Sequence, residues 1–326
     1  MKQVRTSAYN YNFNEQNGYF ERWGKTLEEN SQYSPLGNEI LDIQISNICH
    51  NGCNFCYQGN TSSGKNMSFD VFKNVVNKMS GNLTQIAIAT GDIDSNPDIW
   101  KMMEYAYSIG IIPNITISGY RLTDDIISKL KKYVGGIAVS HYNDDICFDA
   151  VYKLHKAGLK QINIHQLLSE ETYISTLNLL DSYKTDKRLS GLNAIVFMTL
   201  KQKGRGINYH RLLDHHYNLI INRCLSGNIS IGFDSCGCSR FVNAIRGRNN
   251  FSNLLQYCEF CEATLFSAFI NVNGLYFPCS FAEGKFDGID VIKYENFLQD
   301  VWYNPITIDW RKKLLKNCRD CPVYEV

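Results

Sequence analysis

Three cysteines at spacing C-x3-C-x2-C, in Cys49-His50-Asn51-Gly52-Cys53-Asn54-Phe55-Cys56-Tyr57, are the residues with the clearest capacity for chemistry. Three thiolates on one short loop can hold three irons of a cubane. A 4Fe-4S cluster prefers four thiolates, so the loop leaves one iron open to a ligand that is not protein, and that iron is where chemistry can happen. Ferredoxin runs differ, continuing C-x2-C-x2-C with a fourth cysteine nearby. Zinc fingers pair C-x2-C with a second pair. A zinc or disulfide loop is the bland alternative.

A second set of cysteines follows residue 227: Cys236, Cys238, Cys258, Cys261, Cys279, Cys318 and Cys321. Cys261 and Cys279 are joined by C-x12-G-x4-C, with Asn273-Gly274 as a hairpin turn between Phe266-Ser267-Ala268-Phe269-Ile270 and Leu275-Tyr276-Phe277. The turn brings one cysteine from each end together. Cys318-Arg319-Asp320-Cys321 supplies a C-x2-C pair. Zinc on Cys258, Cys261, Cys318 and Cys321 is the competing reading, but the gap is longer than a zinc ribbon's and leaves Cys279 idle. Cys236 or Cys258 could replace one of the four ligands, and Cys236, Cys238 and Cys258 could equally be buried thiols. Cys147 and Cys224 lie in helical patterns and read as core.

The elements that position these residues form a rhythm: apolar β-rich run, turn, amphipathic helix. Strands are expected at 41–47, 83–89, 111–118, 136–140, 161–168 and 192–200, with helices at 68–79, 97–108, after Thr123-Asp124-Asp125, at 144–157, 169–183 and 208–224. Six βα units make a parallel sheet, too few to close an eight-stranded barrel. Working loops in such sheets lie at the strands' carboxyl ends. Thr90-Gly91-Asp92 falls there, as do Ser140 and His141, and Lys201-Gln202-Lys203-Gly204-Arg205-Gly206. Asn163, His165 and Gln166 lie on the fifth strand. A histidine or asparagine inside a barrel is more often a satisfied core hydrogen-bonder than a ligand, and the Lys-Gly-Arg-Gly turn reads equally as a solvated loop. Residues 1–38 show no sustained period and read as an irregular arm, packed by its aromatics, that could serve as a lid.

Composition narrows the function classes. Of 326 residues, 44% are hydrophobic, and 33 basic against 32 acidic residues leave a net charge of +1, with no electrostatic footprint for duplex nucleic acid. No apolar run approaches the roughly 18 residues that span a bilayer, and the first residues lack a secretory signal, so a cytoplasmic protein is expected. Twelve cysteines in such a compartment point to metal or cluster ligation rather than disulfides.

The signature C-x3-C-x-aromatic-C, with Phe55 in the aromatic slot, resembles that of the radical S-adenosylmethionine (radical SAM) enzymes. The resemblance implies a partial (β/α)6 TIM-like barrel over 39–226. It also implies a 4Fe-4S cluster on Cys49, Cys53 and Cys56 whose open iron binds the amino and carboxylate groups of SAM. One electron from the cluster then cleaves SAM to a 5'-deoxyadenosyl radical that abstracts hydrogen. Thr90-Gly91-Asp92 resembles the family's G-G-E-P segment, with Gly91 at the second glycine and Asp92 at the acid that receives the SAM ammonium. Thr90 stands for the first glycine and Asp92 for glutamate. Ser140 and Arg205 resemble, by position, residues that touch SAM. The order C-x12-G-x4-C followed by a distant C-x2-C resembles the SPASM or twitch extensions, implying a small α+β domain over 227–326 with a second, auxiliary 4Fe-4S cluster on Cys261, Cys279, Cys318 and Cys321. The expected function is oxidative modification or crosslinking of a ribosomally made peptide, with electrons from a flavodoxin- or ferredoxin-type donor. Alternatives are oxidation of a small alcohol or sugar, modification of a nucleotide, and an iron-sulfur electron carrier without a substrate.

Overall fold

The computed structural model describes residues 1–316 apart from 27, 30 and 80; Cys318 and Cys321 therefore lie outside the described residues. Three short strands come first: β1 (Lys2–Arg5), β2 (Asn10–Phe13) and β3 (Phe20–Trp23), antiparallel in that order. The region expected to be irregular is thus a small sheet. Alternation in Tyr9-Asn10-Tyr11-Asn12-Phe13 puts three aromatic rings on one fully buried face.

The main sheet has ten strands in the order β10-β9-β8-β7-β6-β5-β4-β11-β12-β13 and is open. Its parallel part begins with β4 (Ile40–Gln44), α1 (Phe69–Met79), β5 (Gln85–Ala89), α2 (Ile99–Ser108), β6 (Ile112–Ile117) and α3 (Asp124–Tyr133). It continues with β7 (Gly136–Ser140), α4 (Asp144–Lys156), β8 (Ile162–Leu168), α5 (Tyr173–Thr185), β9 (Ala194–Thr199) and α6 (Asp214–Ser226). These are the six expected βα units. Start signals work as local chemistry dictates: the Ser68 hydroxyl accepts from Val71 N–H, and the side chains of Thr123 and Asn143 accept from Ile126 and Ile146.

Parallel pairing does not stop at residue 226. After β10 (Ile231–Phe233), which adds to β9, come the short helices α7 (Cys238–Ile245) and α8 (Phe251–Leu255). Then β11 (Ser267–Ile270) pairs in parallel with β4 on the opposite edge, and β12 (Leu275–Phe277) and β13 (Ile289–Asp290) follow antiparallel. The Asn273-Gly274 turn joins β11 to β12 as expected, and α9 (Pro305–Lys316) closes the described chain. Residues 227–316 therefore share the barrel's sheet.

Each barrel strand has two faces. Leu41, Ile43, Ile86, Ile88, Ile115, Ile137, Ile164 and Ile195 pack against the helices in one large core. The alternate residues face the lumen: Asp42, Ala87 and Asn114 are register partners across β4, β5 and β6, and Thr116, Ala138, Asn163 and Ala194 across β6 to β9.

The N-terminal sheet sits at the end of the barrel where the strands begin. Tyr9 donates to Glu39 just before β4, Tyr11 donates to the Asn82 carbonyl, and Lys2 to the Leu83 carbonyl just before β5. Ile112 and Phe266, at the starts of β6 and β11, pack on the same aromatic face. The arm is a floor rather than a lid.

Candidate active site

The cysteine loop lies at the other end, following β4, and the segments after β5 and β9 hold it. Gly91, two residues after β5, touches it directly: a Cβ there would stand 1.9 Å from the Ile48 carbonyl oxygen and 2.5 Å from the Cys49 Cβ. Only glycine lets the two segments meet. Next to it, Asp92 is 3% exposed and directs both carboxylate oxygens at the loop and its flank. It accepts from the His50 backbone N–H at 2.9 Å and the Asn51 side chain at 2.9 Å, lies 2.8 Å from His50 Nδ1, and pairs with Arg121 at 3.3 Å. Burial alone would raise this carboxyl, but the two hydrogen bonds from His50 and the Arg121 charge hold it below the usual carboxylate range.

The turn after β9 supplies the third support. Gly204 adopts φ +55°, and a Cβ on it would lie 2.5 Å from the Tyr57 carbonyl oxygen. Arg205 donates from its backbone to the Cys56 carbonyl at 3.0 Å, from Nε to the Cys53 carbonyl at 2.8 Å and from Nη1 to the Asn60 carbonyl at 3.0 Å. The Lys-Gly-Arg-Gly turn is a clamp on the cysteine loop rather than a solvated loop.

The thiols themselves are half-buried. Burial first, and then the charges of Asp92 and Cys56, raise the Cys49 thiol; burial, then Cys49 and Cys56, raise Cys53, against the Tyr142 hydroxyl that lowers it. Cys49 and Cys53 lie close enough to their neighbouring thiols to feel their charge, and the three are a donor set for a cationic centre. Among the described residues no group of three or more His, Cys, Asp or Glu side chains is placed to hold a single metal ion; three thiolates on one loop are the donor chemistry of a cubane. The residues present fit a cubane.

Phe55 lies in an aromatic group with Tyr142 (5.4 Å between ring centroids) and Tyr209 (5.7 Å). Ser140, at the end of β7, hydrogen-bonds the Tyr142 side chain, and Tyr142 in turn reaches both the Cys53 thiol and the Phe55 ring. His141 turns away: its ring contacts Gln166 at 2.5 Å and Asp144 at 2.7 Å, a satisfied structural residue. His165 faces the lumen beside Thr116, and desolvation lowers its pKa to about 4, so it is neutral.

Of the second cysteine set, Cys261 and Cys279 pack against one small core of Ala263, Phe269, Phe277, Ala282, Trp310 and Leu314. Cys147 and Cys224 belong to the main core, where burial pushes the Cys224 thiol up to about 12. Cys258 contacts Cys238 and the Leu254 carbonyl, and Cys236 lies by Lys201, whose ammonium pairs with Asp234 at 2.9 Å.

Four contributors carry no signal of their role in the sequence. Arg121, in the left-handed backbone region at φ +54°, reaches Asp92 across the mouth. Tyr142 and Tyr209 flank Phe55. Tyr57 donates to the Ser280 hydroxyl at 3.3 Å and its ring meets Phe281 at 4.7 Å, docking the segment after Cys279 beside Cys56.

This arrangement defines a parallel α/β barrel carrying a three-cysteine cluster loop at its mouth. Residues 43–146 match the model described as the Radical SAM superfamily. Among solved structures it is similar to Streptococcus suis SuiB bound to precursor peptide SuiA, with a TM-score of 0.67 and 15% identity, over 84% of this chain and 67% of that one. It is also similar to anSMEcpe with bound AdoMet and Cp18Cys peptide, with a TM-score of 0.57 and 15% identity, over 79% of this chain and 80% of the other. At such identity these likenesses concern the fold, an open partial barrel. No curated protein matches the sequence. Among the described residues no helix is long and apolar enough to cross a membrane.

Proposed function

We propose that the protein is a radical SAM enzyme that oxidatively modifies or crosslinks a peptide. The observation that carries the chemistry is the cysteine loop fixed at the barrel mouth by Gly91, Asp92 and Arg205. When bound to Cys49, Cys53 and Cys56, a 4Fe-4S cluster would supply the electron that cleaves SAM, starting hydrogen-atom abstraction. The chain's own residues do the rest. Arg205 and Asp92 hold the loop's backbone, and Phe55, Tyr142 and Tyr209 offer apolar faces beside it where SAM would lie. Ser140 orients Tyr142.

The peptide reading is supported by the two similar structures, each of which holds a peptide. Cys261 and Cys279, on one small core, are proposed ligands of an auxiliary cluster together with Cys318 and Cys321, and a flavodoxin- or ferredoxin-type protein is the proposed electron donor. The anaerobically reconstituted protein is expected to convert SAM to 5'-deoxyadenosine. A triple alanine variant at Cys49, Cys53 and Cys56 should lose this conversion and retain about four irons, the content of one further cluster. Conversion that survives in the variant would remove the loop from the chemistry, and zinc or no metal in it would remove the auxiliary cluster.

A further inference from the structure

We infer that Asp42 is the group that binds a positively charged side chain of the substrate, a primary ammonium or guanidinium, inside the barrel lumen. The inference deepens the proposed function and rests on it for the word substrate.

Asp42 sits in the middle of β4 between Leu41 and Ile43, both wholly buried against the helices, so strand alternation turns it to the lumen. Its side chain is accessible from the lumen although the barrel surrounds it. Its register partner on β5 is Ala87, and next along the layer is Asn114, which receives nothing from Asp42 and instead donates to Gln85 at 3.0 Å. Farther along the wall the lumen positions are Ala138 and Gly136, too short to reach across. Among the described residues Asp42 makes no hydrogen bond and no ion pair. The nearest group to feel its charge is Tyr57, adjacent to the cluster ligand Cys56.

An ionisable group set between Ala87 on β5 and Phe269 on β11 costs desolvation, and the enclosing protein raises the Asp42 carboxyl to about 6, still ionised at neutral pH. Nothing in the fold uses it. The buried carboxylates elsewhere are all engaged: Glu39 by Arg22, Asp92 by Arg121 and His50, Asp234 by Lys201. Asp42, by contrast, has no partner among the described residues, and a charge-assisted bond from it to a cation would be about twice as strong as a neutral one. A cationic side chain anchored there would be held within the barrel, below the loop.

The test uses n-butylammonium and n-propylguanidinium as probes, with 1-pentanol as the neutral counterpart, binding to the reconstituted protein followed by ligand-observed NMR. Both cations should bind more tightly than the alcohol, and Asp42→Asn should weaken the cations about tenfold while leaving the alcohol unchanged. Asp42→Glu should restore part of the cation binding, and thermal unfolding checks that both variants fold. Equal binding of cations and alcohol, or cation binding untouched in Asp42→Asn, overturns the inference. SAM cleavage is read separately on the wild-type protein, so its absence would overturn the proposed function without touching the cation site.

Discussion

The Tyr57 hydroxyl donates to the Ser280 hydroxyl at 3.3 Å across 223 residues of sequence, and so ties the residue after Cys56 to the residue after Cys279. Two cysteine sets that the sequence keeps far apart are thereby held by neighbouring positions. Tyr57→Phe keeps the ring against Phe281 and removes this bond. The variant should lose about 0.5–1.5 kcal/mol of stability in denaturant titration, and amide exchange should quicken in residues 279–283 before it quickens in the barrel. Unchanged exchange in that segment would show that the tie holds nothing.

Gly91 is the closest contact between the second barrel strand and the cysteine loop. Gly91→Ala puts a methyl group into the Ile48 carbonyl and the Cys49 Cβ, so the loop must move. Iron bound after reconstitution should fall, with strain costing about 1–3 kcal/mol of stability. Gly81→Ala is the control, since a Cβ there meets nothing within 4 Å. Equal iron content in the two variants would sink the argument.

Asp92 was expected from its motif to receive the SAM ammonium, whereas its oxygens in the fold are taken up by His50, Asn51 and Arg121. Asp92→Asn keeps the shape and removes the charge, weakening bonds worth about 1.5–3 kcal/mol to a charged acceptor. The two roles separate in one experiment. A loop-holding Asp92 predicts lower iron retention and faster loss of cluster to a chelator. Full iron with SAM affinity reduced roughly tenfold would instead make it a SAM ligand.

Arg22 bridges two buried carboxylates on the floor of the barrel, Glu39 at 2.6 Å and Glu262 at 3.0 Å. Burial, and then the Glu262 charge, raise the Glu39 carboxyl. The Glu39 carboxyl, raised to about 9, is protonated near neutral pH, so Arg22→Ala there should cost about 1–3 kcal/mol for the donor lost to a buried acceptor. The sign of the pH effect follows. A carboxyl raised in the fold binds its proton more tightly there than in the unfolded chain, so its protonation stabilises the fold as pH falls and is lost as pH rises. The deficit of the variant should therefore be larger at about pH 10 than at about pH 7 in denaturant titrations, since the Glu39 proton is lost through about pH 9. A deficit independent of pH would mean that the lost cation–π contacts with Phe20 and Phe266, rather than the charges, carry the effect.

Much of the frame was legible because its signals are local. The strand Gly136–Ser140 has the bounds that composition predicts, the Asn273-Gly274 turn makes its hairpin, and the C-x3-C-x2-C loop follows a strand as a cluster loop must. What escaped depends on distant partners. Residues 1–38 look irregular because the alternation of Tyr9, Tyr11 and Phe13 lasts only five residues, and only the strand starts of the barrel make that face a buried one. The strand Ile231–Phe233 is too short to announce itself, and the strand Ser267–Ile270, read as one arm of the hairpin, carried no sign that it would pair with β4; each is fixed by an edge already present. Asp42 passed as part of an apolar run, although a carboxylate in mid-strand was its own signal. For Arg121 there was none: its role arises from a left-handed turn that carries it across the mouth.

The parallel pairing of β11 with β4 also sets the order in which the molecule can be finished. As the chain leaves the ribosome, the strands from β4 to β9 can assemble by contacts between neighbours in sequence, which close quickly. One flank of β4 meanwhile shows its bare N–H and C=O groups, because the strand that covers it is synthesised last but two among the described strands. An uncovered flank of this kind invites pairing with another nascent chain. The interval between the emergence of β4 and that of β11 is therefore the window in which this protein depends most on chaperones, and slowing translation between them should raise the fraction that aggregates.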